Sequence, residues 1–358
     1  MPSGISVVIC CFNSSAKLAP TLKHLYDQKG ILLASWEIIL VDNCSTDDTA
    51  SQAAGIWGSF PLSKPDFKVV NELTPGLSAA RQKGINESRY DYVLFCDDDN
   101  WLEEDYLSTA LKIMQDNSQI GALGGTGFPI FEEFEPPYFW KNQYHALAVG
   151  HQSVINGDIT DERGVLYGAG MVLNKTAYKI LQERFQFQFQ LSDRLNNTLL
   201  SSGDHELCLA LKKIGFRIFY ERSLRFKHYI PAFRTTIAYY KRLFLGFGMS
   251  YAMLQVYRVN KDSLNHLKND YKYIVLRCLK NIMLTRLKLF LSGYYFKKNK
   301  FKYLDNIHFL YSNIGQLKTV VKIKNQYKTQ FKVIPLFSQN TEPRVSGEPP
   351  VVNFNTID

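Results

Sequence analysis

The stretch "YVLFCDDDNWL", which begins at Tyr92, runs five residues suited to a buried strand straight into Asp97, Asp98 and Asp99. Three adjacent carboxylates repel one another, and a buried one needs a partner. A hard divalent cation on oxygen ligands would supply that positive charge. Magnesium commonly takes one or two carboxylates and lets substrate phosphates complete its shell. The triplet therefore fits a metal ion held together with a nucleoside diphosphate. It fits equally a solvated acidic turn opening the helix "LEEDYLSTALKIM", because carboxylates favour a helix N-terminus. On this stretch alone both readings stay open.

Polar residues also end the other strands that the pattern predicts. Ile5 to Cys11 is a β-branched apolar run that suits a strand buried on both faces, and it leads to Asn13. A helix follows, with Leu18, Leu22 and Leu25 on one face. "WEIILVD" is a second buried strand ending at Asp42 and Asn43, followed by the turn "NCSTDDT" and a short helix from about Asp47. "FKVVNE", the helix "LSAARQKGINES" and "YDYVLFC" continue an alternation that predicts a parallel or mostly parallel sheet covered by helices. Ligands of such sheets bind beyond the carboxyl ends of the strands, where Asn13, Asp42 with Asn43, and Asp97 to Asp99 all fall. No G-x-G-x-x-G follows the first strand and no G-x-x-x-x-G-K-[ST] occurs, which disfavours a dinucleotide fingerprint and a P-loop. Further on, "GVLYGAGMVLN" reads as a strand interrupted by Gly168 and Gly170. "SSGDHELCLALKKIGFRIFY" reads as a turn, a helix from about Asp204 and a strand. Asp204 would cap that helix well, with His205 and Glu206 facing solvent or neighbouring loops.

Taken in order, "VVICCFN", "EIILVDNCSTDDT", "GLSAARQKGI", "YVLFCDDDNWL" and "SSGDHELCLAL" resemble the family-2 glycosyltransferases, inverting enzymes with the GT-A fold, from about Ile5 to Ser250. The resemblance implies an α/β, Rossmann-like, mostly parallel sheet, a nucleotide-sugar donor (usually a UDP-sugar), and a Mg or Mn ion. It implies a nucleotide pocket at Cys11, Phe12 and Asn13, with Asp42 on the base or ribose. Asn43 stands where many members have a second Asp. Arg81 matches an arginine that approaches the nucleotide or diphosphate. Asp99 becomes the metal ligand, Asp97 and Asp98 serve the ribose and the metal's outer shell, and His228 matches a histidine near metal and diphosphate. Asp204 becomes the general base of a single displacement, with Gly203 where Glu is common. Phe139, Trp140, Gly168 and Gly170 fall in the variable middle that forms the acceptor side in relatives; burial in the core explains the two aromatics equally well. A sugar-nucleotidyltransferase would be expected to carry a Gly-rich basic loop after the first strand, which "CCFNSSAKL" is not. A non-catalytic nucleotide-sugar or glycan-binding protein would not need both Asp99 and Asp204.

The chain of 358 residues has a formal charge of +9. From Lys261 to Val333 there are 16 Lys and Arg against 3 acids, so the basicity belongs to the C-terminal third. The expected organisation is a catalytic domain over residues 1–235 (nucleotide half about 1–125, acceptor half about 126–235), a basic, aromatic helical region over 236–335 and a disordered tail over 336–358. Fifteen uncharged residues between Arg242 and Arg258 fall short of the roughly 20 that span a bilayer. "YIVLRCLKNIMLTRLKLFL" instead interleaves cations with apolar residues, as an amphipathic helix on anionic lipid does. Helices packed on the catalytic domain with a basic outer face are the alternative. No nucleic-acid module accompanies the charge. The N-terminus shows no basic stretch before its apolar run, and six scattered cysteines without a C-x-x-C pair predict reduced thiols and no zinc. The expected setting is cytoplasmic, on the inner membrane face, with a glycan or lipid-linked glycan as acceptor.

Overall fold

The computed structural model describes residues 3–61, 64–193, 199–258, 261–292 and 300–322, so the expectation for the tail over 336–358 lies outside the described residues. The β-branched run forms β1 (Ile5–Cys11), buried except at Cys10. Leu18, Leu22 and Leu25 are buried on α1 (Leu18–Tyr26). Then come β2 (Trp36–Asp42), α2 (Thr49–Ser59), β3 (Asp66–Asn71), α3 (Leu77–Glu87) and β4 (Tyr92–Asp97). These strands lie parallel in the order β3-β2-β1-β4. Cys11 pairs with Asp42 and Cys10 with Asp97, so the polar strand ends meet at one edge. Alternate side chains face opposite ways along a strand. Val8, Ile39, Val41, Val93 and Phe95 accordingly pack in one core, and Val7, Ile9, Ile38, Leu40 and Leu94 in the other, with helices over both faces.

No helix starts at the acidic triplet. Asp98 and Asp99 form a tight turn into β5 (Asn100–Leu102), and α4 (Tyr106–Asp116) begins only afterwards. The remaining sheet comes from β6 (Ile120–Phe131), β7 (Gly157–Asp158), β8 (Val172–Asn174) and the long β9 (Arg217–Ile230), with α5 (Lys175–Phe185) and α6 (Gly203–Lys213) between the last two strands. Antiparallel β8 joins β4 to β6, and β6 runs parallel to β9. Only Val172–Asn174 of "GVLYGAGMVLN" is strand. Gly170, at φ +71, lies in the preceding turn, and its N–H donates to Phe95 O at 3.0 Å.

The basic third is helical: α7 (Ile237–Arg258), α8 (Lys261–Ser292) and α9 (Lys300–Lys322). Gly248 packs on Ser312 O and Gly315 on Leu245 O, so α7 and α9 cross with backbones too close for a Cβ on either glycine. Leu254 and Tyr257 of α7 enter the core beneath the sheet. Among the described residues no helix is long and apolar enough to cross a membrane.

Candidate active site

Pairing of β5 with β9 sets Asn100 opposite His228, and this brings the turn residue Asp99 to the far half of the chain. Tyr229 N–H donates to Asp99 O at 2.9 Å. His228 Nε2 lies 3.3 Å from Asp99 Oδ1, and Arg234 Nη1 lies 3.3 Å from Oδ2. Arg234 sits on a single 3-10 turn, Ala232–Thr235, that follows β9. Burial alone would raise the Asp99 carboxyl, but His228 and Arg234 beside it, with help from Lys17, hold it well below the usual carboxylate range.

Asp98 turns the other way. Its carboxylate accepts the Ser14 hydroxyl and pairs with Lys17 Nζ at 2.9 Å, while Thr21 Oγ1 donates to its carbonyl at 2.9 Å. Burial, then the charge of Asp99, push its carboxyl up to about 6 against Lys17 and Ser14. Asp98 thus ties the end of β4 to the start of α1, and Lys17, Arg234 and His228 bring positive charge or donors to the triplet from within the chain. A buried carboxylate with an imidazole nitrogen beside it nevertheless suits a divalent ion whose remaining ligands come from a diphosphate and water. Among the described residues no cluster of three or more His, Cys, Asp or Glu is placed to hold a metal alone.

Asp204 lies in the first turn of α6, whose N-cap is Ser202, so the alternative reading of Asp204 as the helix cap does not hold. Its Oδ2 accepts Gly168 N–H at 2.6 Å and its Oδ1 accepts His205 N–H at 2.8 Å. Asp193 instead accepts the Gly203 N–H at 2.8 Å. Burial would raise the Asp204 carboxyl, but His205, Arg81 and the two backbone donors lower it, which keeps it ionised near neutral pH. Arg81 is the hub of this half. It is buried, lies 3.7 Å from Asp193 Oδ2, stacks 5.3 Å from the Phe95 ring centre, and feels the charges of Asp204, Asp97 and Asp193. Its guanidinium fills the space where a Cβ on Gly168 would be, which explains the glycine there. Through Gly168, which packs on its guanidinium and donates to Asp204, Arg81 links the Phe95 ring of β4 to α6.

At the β1 and β2 ends, Phe12 is 59% exposed and offers an open ring at the edge, whereas Cys11 is buried. Asn13, at φ 50, accepts Thr46 N–H at 2.8 Å, and Asp42 accepts Ser45 N–H at 3.2 Å. Asn43 donates from Nδ2 to Glu72 O at 3.1 Å and Thr74 O at 2.7 Å, and accepts Gly76 N–H at 2.8 Å. Only an amide can do all three, so Asn43 fastens the 72–76 loop. An aspartate there would face two carbonyl oxygens.

The acceptor-side expectations divide. Gly168 and Gly170 form the turn that holds Asp204 and abuts β4. Trp140 is buried against Tyr240 with ring centres 4.6 Å apart, so of its two readings the core is the observed one. The Phe139 side chain lies outside the described residues. Glu206, expected to face solvent or neighbouring loops, is fully buried against a loop: it accepts N–H from Gln190 and Leu191 and the Tyr257 hydroxyl, which welds α6 to α7 and to the loop before it. Sequence reasoning missed Lys17, Asp193 and Arg234. A cation after the first strand and another in "HYIPAFR", six residues past His228, were the available signals, and Asp193 carried none.

Residues 6–179 match the family described as Glycosyl transferase family 2. Over 121 residues the chain is 33% identical to the cholesterol galactosyltransferase of Borreliella burgdorferi, a stretch covering 32% of this chain and 31% of that protein. Over 127 residues it is 30% identical to the poly-beta-1,6-N-acetyl-D-glucosamine synthase of Staphylococcus epidermidis, covering 34% and 28%. The chain thus spans about a third of the length of each of these two relatives. Among solved structures, S. aureus TarS 1-349 is similar at a TM-score of 0.48 and 14% identity, over 91% of this chain and 92% of that one. The family match takes in Asp42, Arg81 and the acidic triplet and stops before Asp204, His228 and Arg234.

Proposed function

We propose that this chain, a member of glycosyl transferase family 2 through residues 6–179, is an inverting glycosyltransferase that moves a sugar from a nucleoside-diphosphate donor, a UDP-sugar, to a glycan or lipid-linked glycan. The observation that carries the reading is the placement of Asp204, whose Oδ2 accepts Gly168 N–H at 2.6 Å where Gly168 packs on the buried Arg81 guanidinium, itself over the Phe95 ring of β4 and 3.7 Å from Asp193. Inverting transfer is a single displacement. The acceptor oxygen attacks the anomeric carbon while its proton passes to the Asp204 carboxylate, and the bond to the donor diphosphate breaks on the opposite face. The two backbone N–H groups on Asp204 fix its orientation and favour its ionised form, as a base requires. Phe12 and Asp42 form the nucleoside side, and Lys17 and Arg234 stand ready to meet the diphosphate from the carboxylates they now neutralise. A Mn or Mg ion would be held by Asp99 and His228, where it would neutralise charge on the leaving diphosphate.

The division of labour follows the same reading: residues 1–235 carry the reaction, residues 236–335 buttress it, and the enzyme works at the cytoplasmic face of the membrane. A thermal-shift panel of UDP-, GDP- and dTDP-sugars, with and without Mn, tests the donor class. Stabilisation by a UDP-sugar in Mn, followed by UDP release and a product of inverted anomeric configuration, is expected. No shift with any sugar nucleotide would overturn the reading.

A further inference from the structure

Helix α8 has two apolar faces, and the described chain covers only one of them. Ile274, Cys278 and Thr285 are buried on the inner side, where Asn281 Nδ2 donates to Asn313 Oδ1 of α9 at 3.0 Å and Cys278 lies 3.4 Å from Gln316. On the outer side Leu276, Leu279, Met283, Leu287 and Phe290 recur at the three-to-four-residue spacing of one helical stripe. They are strongly exposed: Leu276 64%, Met283 64% and Phe290 83%. Lys272, Lys280, Arg286 and Lys288 are exposed within or beside the stripe, Arg277 reaches back to Gln316 of α9 at 3.5 Å, and no acid occurs between Lys272 and Leu291. An apolar stripe of this size in water marks a surface meant to be covered.

We infer that this outer face of α8 is a docking surface for an anionic lipid bilayer, with the leucines, Met283 and Phe290 entering the headgroup-acyl boundary and the four exposed cations meeting lipid phosphates. The charge pattern selects this occupant. A second copy of the chain packed through the same face would set four cations against four cations across a two-fold axis. A bilayer rich in anionic headgroups satisfies both the stripe and its cations, and the absence of acids along the stripe removes any repulsion. With no described helix apolar enough to span, α8 would lie in the plane of the interface. This inference deepens the membrane placement within the proposed function, but it stands on α8 alone and needs no transfer chemistry.

The test is flotation of the intact chain with phosphatidylglycerol vesicles and with neutral phosphatidylcholine vesicles, at low and high salt, with no sugar nucleotide present. Failure here would therefore leave the donor and base assignments standing, and failure of transfer would leave this result standing. Intact protein should float with the anionic vesicles at low salt and be released as salt rises, because screening shortens the reach of the cations. Two surface variants separate the contributions, each checked for an unchanged melting temperature. Leu276→Ser with Met283→Ser and Leu287→Ser should lower partitioning at least tenfold. Lys280→Gln with Arg286→Gln and Lys288→Gln should lower it roughly 100-fold, since each cation near the surface contributes about fivefold. The inference falls if the intact chain stays unbound at low salt, floats equally with neutral vesicles, or is unaffected by the leucine and methionine changes. It also falls if the protein sediments as a dimer that the apolar variant converts to monomer while vesicles bind neither.

Discussion

Replacing Asp204 with asparagine separates base from tether. The aspartate presents two oxygens, one to Gly168 N–H at 2.6 Å and one to His205 N–H at 2.8 Å. Asparagine has a single oxygen, so one of these backbone donors loses its partner, at a cost of about 1 to 3 kcal/mol. The charge beside Arg81 is lost as well, although Asp97 and Asp193 remain to balance that guanidinium. The structural penalty is thus bounded and should appear as a modest drop in melting temperature with UDP affinity nearly unchanged. Turnover should fall by about 10²- to 10⁴-fold, the range contributed by a positioned general base. The assay is UDP release at saturating donor and acceptor, with calorimetry of UDP binding on the same preparation. Because its neighbours lower the Asp204 carboxyl below the ordinary carboxylate range, the acid limb of the wild-type rate should lie in that depressed region, leaving this group's contribution flat from about pH 6 to 8. A folded variant that turns over within threefold or so of wild type would refute the assignment and leave Asp204 as the tether of the Gly168 turn.

Asp99→Ala should abolish the dependence of UDP affinity on Mn, whereas wild-type affinity should drop about tenfold or more in EDTA; calorimetry showing equal wild-type affinity in both would remove the ion from the site. Asn43→Asp should destabilise the chain by about 2 to 3 kcal/mol, because the carboxylate would face the Glu72 and Thr74 carbonyls without a proton to give; chemical denaturation measures it, and an unchanged midpoint would count against the loop-fastening role. Burial pushes Glu206 from 4.5 up to about 7, against three hydrogen bonds that favour its charge. The native state therefore holds this proton more tightly than the unfolded state does. The stabilisation is complete below pH 4.5 and is lost as pH rises through about 7, about 3 kcal/mol in all. Glu206→Gln should flatten that decline in a denaturation series from pH 5 to 8, and identical slopes in variant and wild type would rule it out.

Sequence alone determined the nucleotide half because its signals are local. β-branched runs such as Ile5 to Cys11 and the three-and-four spacing of Leu18, Leu22 and Leu25 report burial within a few residues, and parallel pairing then brings their polar ends to one edge. The exposed stripe on α8 was legible in the same way, from cations interleaved with leucines. Side-chain direction at the triplet was not. Three identical aspartates carry no signal saying that Asp98 turns to Ser14 and Lys17 while Asp99 turns to His228 and Arg234. That choice depends on the tight turn into β5 and on its pairing with β9, a contact between residues far apart in the chain. Asn43 looked like a lost charge until the 72–76 loop came against it, and nothing around Glu206 announced the Tyr257 hydroxyl that reaches it from α7. Where a buried polar group finds its partners is settled by long-range packing, because the cost of leaving it unpaired appears only once water has been excluded.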